Sequence, residues 1–478
     1  MSPIGQKKLN RFNDFSLIEK TDINLASSMD RYLEWVSSRG LDSKEYQYEG
    51  VEWCMKSEQR EKAMGPRGGF LADEMGLGKT ITMIGLGFVL PVERTLIVLP
   101  SVLVDQWKDQ LRKLDGRKIL VWHKGIKRDH LLQIPIVITT YGKIGVTKKR
   151  EVCELHKVQW GRIIFDEAHH VRNRNTGSYM GAKLLQGDAK WMVTGTPIQN
   201  RLTDFKSLCA VFGIAASKMG NAQIEEIKKE YVLRRTKESV NLSLPKLEIN
   251  DVFVDWSDDG EGELANYIHS KIPFLNVERN SSEDNVNIFK SEGHLAMLMK
   301  GLQVSAFPAL LKEDINSAVE RNILDKDHPY NKAVRTSTKL DLILKMILDT
   351  KDDGKAKIIF CRFHKEMDYL YQCLREKLID VVVFDGRVSL AHRKRILNQP
   401  HHVLIMQIQA SSEGFNLQHY SHIYFVSPHW NPALQAQAIS RSHRYGQHNH
   451  VHIYRFFHKH GTDLYITALQ YYKHTLYF

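Results

Sequence analysis

Residues 71–80 read Leu71-Ala72-Asp73-Glu74-Met75-Gly76-Leu77-Gly78-Lys79-Thr80 and stand between a β-rich run, GGFLA, and an apolar helical run, KTITMIGLGFVL. A turn at such a junction aims successive backbone N–H groups into one concavity. The helix that follows adds the positive end of its dipole, and glycines let an anion approach the main chain. The stretch Asp73, Glu74, Met75, Gly76, Leu77, Gly78 therefore reads as a phosphate-binding loop. Lys79 offers a point charge to the β- and γ-oxygens of a bound triphosphate, and the Thr80 hydroxyl is placed to ligand Mg²⁺. The general phosphate-loop pattern has glycine where Asp73 stands, so the letters alone also allow a glycine-rich turn capping a core helix.

Working outward, Ile163-Ile164-Phe165 is an apolar strand that ends in Asp166-Glu167-Ala168-His169. Two acids at a strand tip downstream of a phosphate loop have a division of labour: Asp166 can hold the metal through its water shell, and Glu167 can orient and polarise the water that attacks the γ-phosphate. From Ser43 to about Val240, short β-rich runs (GGFLA, TLIVLP, KILVW, IVITTY, RIIFDE, WMVTGT) alternate with helical patterns, which predicts a parallel sheet covered by helices. From Asp255 to about Arg335 acidic loops and periodic apolar positions predict helices without strands. A cap-like Thr338 precedes KLDLILKMIL, and the strand–helix alternation then resumes through IIFCRF, VVVFDG, VLIMQIQ, HIYFVSP and VHIYRFF. The expected class is α/β with two parallel-sheet lobes and a helical insertion between them. The expected divisions are an extension over 1–42, a nucleotide-binding lobe over 43–240, a helical insertion and linker over 241–335, and a second lobe over 336–478.

A chain of 478 residues is the right length for two or three domains, and its formal charge of +12 suits a polyanionic partner. No basic amphipathic helix points to a membrane surface. The five cysteines form no Cys-x-x-Cys pair, and neither a signal-type leader nor a membrane-length apolar run is evident, which predicts a reducing, nuclear or cytoplasmic location.

DEMGLGKT and DEAH resemble motifs I and II of SNF2-type ATPases, a branch of the superfamily 2 helicases in which an Asp at the first position of the loop is characteristic. Further stretches resemble the same family in the same order. Tyr46-Gln47 is similar to its adenine-reading segment, and Pro100-Ser101 with Gln106-Trp107 to motif Ia. Thr194-Gly195-Thr196-Pro197 is similar to the motif III that couples nucleotide state to the DNA path, and Leu233-Arg234-Arg235-Thr236-Lys237 matches a signature near the end of the first lobe. QAQAISRSHRYGQ, residues 435–447, resembles motif VI, although Ser440 replaces the usual Asp or Gly. Arg441 and Arg444 fall three apart on a predicted helix and would project from one face. The stretch 411–417, with Gly414, resembles motif V more loosely, since Ser412 and Glu413 stand where glycines are commoner. Trp430-Asn431-Pro432 follows it, and Asp385-Gly386-Arg387 with Arg393 resembles the motif that meets the tracking strand; surface charge accounts for that last group almost as well.

The resemblance implies two RecA-like lobes, ATP and Mg²⁺ as cofactors, and arginine fingers at Arg441 and Arg444. It also implies ATP-dependent translocation on double-stranded DNA in chromatin or transcription regulation, with chromatin or transcription proteins as partners and no small-molecule substrate besides ATP. Thr194, Gly195, Thr196, Arg387, Gly414 and Trp430 would serve nucleic-acid contact and coupling. The compact chain leaves little room for a histone-reading module and resembles the global transactivators of baculoviruses, which implies action in an infected cell's nucleus. A strand-separating DNA or RNA helicase and a non-motor, ATP-gated DNA-binding regulator are the rival readings. His448, His450 and His452 alternate along an expected strand, but no further ligands recur at useful spacing. The eight tryptophans suit core positions better than base-stacking platforms.

Overall fold

The computed structural model describes residues 25–149, 151–195, 202–215, 220–275, 288–289, 293–399, 401–412 and 415–477. A first sheet holds β1 (Arg67–Leu71), β2 (Thr95–Leu99), β3 (Ile119–Val121), β4 (Ile136–Thr140), β5 (Gln159–Asp166), β6 (Gln186–Val193) and β7 (Val232–Leu233). Their order is β3-β4-β2-β5-β6-β1-β7, and every pairing is parallel. A second parallel sheet holds β8 (Leu247–Val254), β9 (Ala356–Cys361), β10 (Val381–Phe384), β11 (Val403–Gln407), β12 (Tyr420–Phe425) and β13 (Val451–His458), in the order β10-β11-β9-β12-β13-β8.

The central strands are unbroken apolar runs because both faces of each sheet are covered by helices. Alternate side chains feed different cores: Phe70, Val98, Ile163 and Phe165 enter one cluster, and Leu71, Ile97, Leu99 and Ile164 the other. The second of these clusters also receives Tyr32, Trp35 and Val36 from α1 (Leu25–Ser38), so the end of the stretch expected as an extension is a packed layer of the first lobe. Trp35 fixes it further by donating its indole N–H to the Leu114 carbonyl at 2.8 Å.

Helix α2 (Glu45–Gln59) is tied to β5 by a buried ion pair. Arg162, fully inaccessible, meets Glu58 at 2.5 and 2.6 Å and donates to the Leu90 carbonyl at 2.8 Å, while Trp191 donates to the same carboxylate at 2.6 Å. Removing one partner of such a pair costs about 3–5 kcal/mol, because it strands a buried charge.

In the chain between β8 and β9, helices Asp259–Ser270, His294–Ala306, Lys312–Glu320 and Pro329–Ala333 enclose Leu264, Ile268, Met297 and Tyr330. The stretch 241–335 nevertheless contains β8, which runs along β13 as the edge of the second sheet. Its signal is weak because Glu248, Asn250 and Asp251 break the apolar run, and Ile249 and Phe253 stand exposed on the outer side of the edge strand. The helix expected to be capped by Thr338 is capped by Ser337, whose hydroxyl accepts from the Leu340 N–H; Thr338 instead donates to Glu261 at 2.6 Å. No helix among the described residues is long and apolar enough to cross a membrane.

Candidate functional site

Because the first sheet is parallel, β1, β2, β5, β6 and β7 all end at one edge, and the segments that follow them converge there. The loop after β1 turns through Gly76 at φ +94° and Gly78 at φ +80° before α3 (Lys79–Val89) begins. These left-handed values favour glycine. At Gly78 a Cβ would also stand 2.4 Å from the Gln47 amide nitrogen. Gln47, on α2, is buried and donates to the Leu77 carbonyl at 3.2 Å, so the residue matched to adenine reading abuts the phosphate loop.

Met75, Gly76, Gly78, Lys79 and Thr80 line a cleft together with Leu103, Gln106 and Trp107. The Lys79 ammonium donates to the carbonyls of Asp73 and Glu74 at 2.8 and 3.3 Å. The carboxylates of Asp73 and Glu74, expected to bind nucleotide, turn away from the cleft. Asp73 accepts from the Arg235 backbone N–H at 3.0 Å and from its guanidinium at 3.1 and 2.6 Å; Glu74 accepts from the Lys237 N–H at 2.7 Å. Arg235 also donates to the Tyr46 carbonyl and packs on Gly50. The acid in place of a loop glycine is thus the seat of a bidentate arginine, and that arginine fastens the phosphate loop to α2. Arg234 and Arg235 lie just beyond β7, not on a helix, and their sequence spacing alone could not show this pairing.

Asp166 and Glu167 follow β5 into the same cleft and are both buried. The Asp166 carboxylate accepts the Trp107 indole N–H at 2.7 Å and the Glu167 N–H at 3.0 Å, and Tyr141 donates to its backbone carbonyl at 2.7 Å. Burial, and then the neighbouring Glu167 charge, push Asp166 above the usual carboxylate range. At Glu167 burial acts in the same direction but is outweighed by His169, Arg441 and Lys79, which hold it below the usual carboxylate range. His169 Nδ1 stands 3.3 Å from Glu167 Oε2. Glu167 itself has φ +51°, a left-handed value that costs a non-glycine residue on the order of 1–3 kcal/mol and that concentrates at functional sites.

The opposite wall comes from the second lobe: Ser440, Arg441 and Arg444 line the same cleft. Ser440 Oγ, which donates to the Gln437 carbonyl at 2.8 Å, lies 3.4 Å from Met75 Sδ, Lys237 donates to the His443 carbonyl at 2.9 Å, and Tyr445 meets Asp42 while its ring lies 4.4 Å from the Lys44 ammonium. An Arg441 guanidinium nitrogen is 3.9 Å from Glu167. Arg444, expected on the same helix as Arg441, lies beyond it. The helix Pro432–Ser442 closes at His443, whose ψ of +80° is not helical, and the chain turns through Gly446 at φ +94°. Both arginines still reach the cleft, but by a helix end and a turn instead of a shared face. Among the described residues no carboxylate lies within ion-pair distance of Arg444, and burial together with Arg441 disfavours its charge. Such a site calls for an anion. The oxygen donors Thr80, Asp166 and Glu167 suit a hard divalent cation, so the residues present fit Mg²⁺ and a triphosphate together.

The remaining candidates are placed elsewhere or lie outside the description. Thr194 is buried with its N–H on the Leu71 carbonyl at 3.1 Å, and Gly195 is so close to Met75 that a Cβ would meet it at 2.7 Å. Arg387 sits beyond β10 with its guanidinium shared between Asp368 and Asp385, and Trp430, beyond β12, lies under the Arg362 guanidinium at 5.4 Å. Neither lines the cleft. Thr196 and Gly414 fall outside the described residues. His448 and His450 precede β13, and His452 on it pairs with Glu248 at 3.1 Å.

The profile of the SNF2-related domain matches residues 46–308, and that of the helicase conserved C-terminal domain matches 338–446. The probable global transactivator of Orgyia pseudotsugata multicapsid polyhedrosis virus is 28% identical over 436 residues, covering 86% of this chain and 85% of that one. An uncharacterized ATP-dependent helicase of Mycoplasma genitalium is 25% identical over 98% of this chain and 45% of its own length. The ISWI chromatin-remodeling complex ATPase ISW2 of Saccharomyces cerevisiae is 26% identical over 86% of this chain and 38% of its own length. The chain thus spans less than half of the second and third of these relatives. A solved SWI2/SNF2 ATPase core from Sulfolobus solfataricus, in complex with double-stranded DNA, is similar at 22% identity, with a TM-score of 0.40 over 91% of this chain and 92% of that one.

Proposed function

The chain belongs to the SNF2-related family, and on that premise we propose that it hydrolyses ATP between its two lobes and uses the cycle to move along double-stranded DNA. One observation carries this reading: Arg441 and Arg444 of the second lobe line the same cleft as Lys79, Asp166 and Glu167 of the first. A nucleotide seated on the loop after β1 would have its phosphates met by backbone N–H groups and Lys79, with its base beside Gln47. Thr80 and Asp166 would hold Mg²⁺, which when bound neutralises charge on the β- and γ-oxygens. Glu167, kept anionic by His169, Arg441 and Lys79, accepts a hydrogen bond from the attacking water and aligns it. Arg441 and Arg444 neutralise charge that spreads over the transferring phosphoryl group, which ties hydrolysis to closure of the lobes.

The polyanion is inferred from the charge of +12 and from relatives whose printed names concern chromatin remodelling and transactivation. Action in a nucleus, on chromatin or transcription proteins, follows as part of the same proposal. The test is phosphate release measured with no nucleic acid, single-stranded DNA, duplex DNA and RNA at several salt concentrations. Stimulation by duplex DNA that declines with salt is expected, because each phosphate contact releases counterions. Glu167→Gln should abolish turnover while nucleotide still binds. Triplex displacement without separation of a labelled duplex would distinguish translocation from unwinding, and duplex-independent turnover would overturn the DNA-motor reading.

A further inference from the structure

The loop and the two acids have assigned tasks in this reading, whereas Trp107 has none. It lies on α4 (Val104–Leu114), the helix that follows the tip of β2, and it is 1% exposed. Its indole N–H does not end in the core. It reaches from α4 to β5 and donates to Asp166 Oδ2 at 2.7 Å, while Oδ1 of the same carboxylate accepts the Glu167 N–H at 3.0 Å.

We propose that Trp107 is a positioning residue for the divalent cation: its indole N–H fixes the plane of the Asp166 carboxylate and so aims the remaining lone pairs into the cleft. The proposal rests on the assignment of this cleft to a nucleotide and its cation. The terminal torsion of an aspartate is intrinsically broad, so a free carboxylate would sample many orientations. With one donor on each oxygen the plane is defined, and each oxygen keeps acceptor capacity for a cation. The donor is well chosen for stiffness. An indole has few torsions, and this one is held by burial alongside Leu111 and Leu114 on the same face of α4. Leu103, one turn earlier, and Gln106, immediately before it, line the cleft with it. The seating of α4 is thereby linked to the orientation of Asp166, since displacement of the helix would break the 2.7 Å bond or turn the carboxylate.

Loss of an outer partner of a metal ligand typically weakens metal binding about 10- to 100-fold. Two replacements isolate the N–H. Trp107→Phe keeps an aromatic ring, and β-(3-benzothienyl)alanine, introduced at position 107, keeps the whole bicyclic shape with sulfur in place of N–H. Binding of a fluorescent ADP analogue to the full chain is titrated with Mg²⁺, and separately measured in chelator, with melting temperature as the check on folding. Both replacements are expected to shift the Mg²⁺ dependence of nucleotide binding upward by about 10- to 100-fold, well beyond any change they cause in chelator. Should the phenylalanine variant not fold, the sulfur isostere decides. An unshifted Mg²⁺ dependence in a folded replacement, or an equal loss with and without Mg²⁺, would overturn the proposal in favour of simple packing. If the unchanged chain binds no nucleotide in a Mg²⁺-dependent way, the assignment of the cleft itself has failed, which is a separate result.

Discussion

Replacing Arg444 by alanine should separate catalysis from stability in this chain. Two unit charges about 4 Å apart attract by roughly 4 kcal/mol at an effective dielectric of 20. That energy, delivered to a phosphoryl group as its charge spreads, corresponds to about 10³ in rate, the lower end of the range for an arginine finger. Arg441 already stands 3.9 Å from Glu167, whereas Arg444 has no carboxylate within ion-pair distance among the described residues. Its burial beside another guanidinium opposes its charge. Arg444→Ala should therefore lower kcat by about 10³ or more, leave nucleotide affinity nearly intact, and leave the melting temperature unchanged or raised. Steady-state phosphate release at saturating duplex DNA, nucleotide titration and a thermal melt measure the three quantities. Turnover within tenfold of the unchanged chain, or a melt lowered along with activity, would refute the assignment of Arg444 to the phosphoryl group.

Asp73→Ala should behave in the opposite way: it strands the guanidinium of Arg235, so a loss of about 3–5 kcal/mol is expected in urea unfolding, and Arg235→Lys with Asp73 in place should retain little of the pair's stabilisation because lysine cannot form the two-pronged contact. Gly78→Ala combines a left-handed backbone with a collision against Gln47, and weaker nucleotide binding with a lower melting temperature is expected from calorimetry. Stability should also fall on acidification. Burial holds His269 down to about 4 and, together with Lys339, His458 down to about 2, so the unfolded chain binds these protons first. Their contribution is complete above about 6.5 and is lost at roughly 1.4 kcal/mol per pH unit for each histidine as pH drops below it. Melts between pH 7 and 5 check the slope, which His458→Phe, stacked on Trp256, should reduce.

Much of the fold was legible because parallel, doubly covered strands are written as unbroken apolar runs, and β1, β5 and β6 appear where TLIVLP-like texture predicts them. β8 was not, because an exposed edge strand carries no such run. The sequence by itself picked out the candidate residues: a glycine-rich turn before a helix can cradle phosphate whatever surrounds it, and acids at a strand tip must emerge at the sheet's edge. Only the tertiary structure decided what those residues touch. It turned Asp73 toward Arg235, set Trp107 against Asp166, gave Glu167 its left-handed backbone, and carried Arg444 past the end of its helix into the cleft. The contacts of Asp73, Trp107 and Arg444 depend on segments far apart in the chain meeting in space, and neither the local periodicity nor the turn chemistry of any one segment encodes such a meeting.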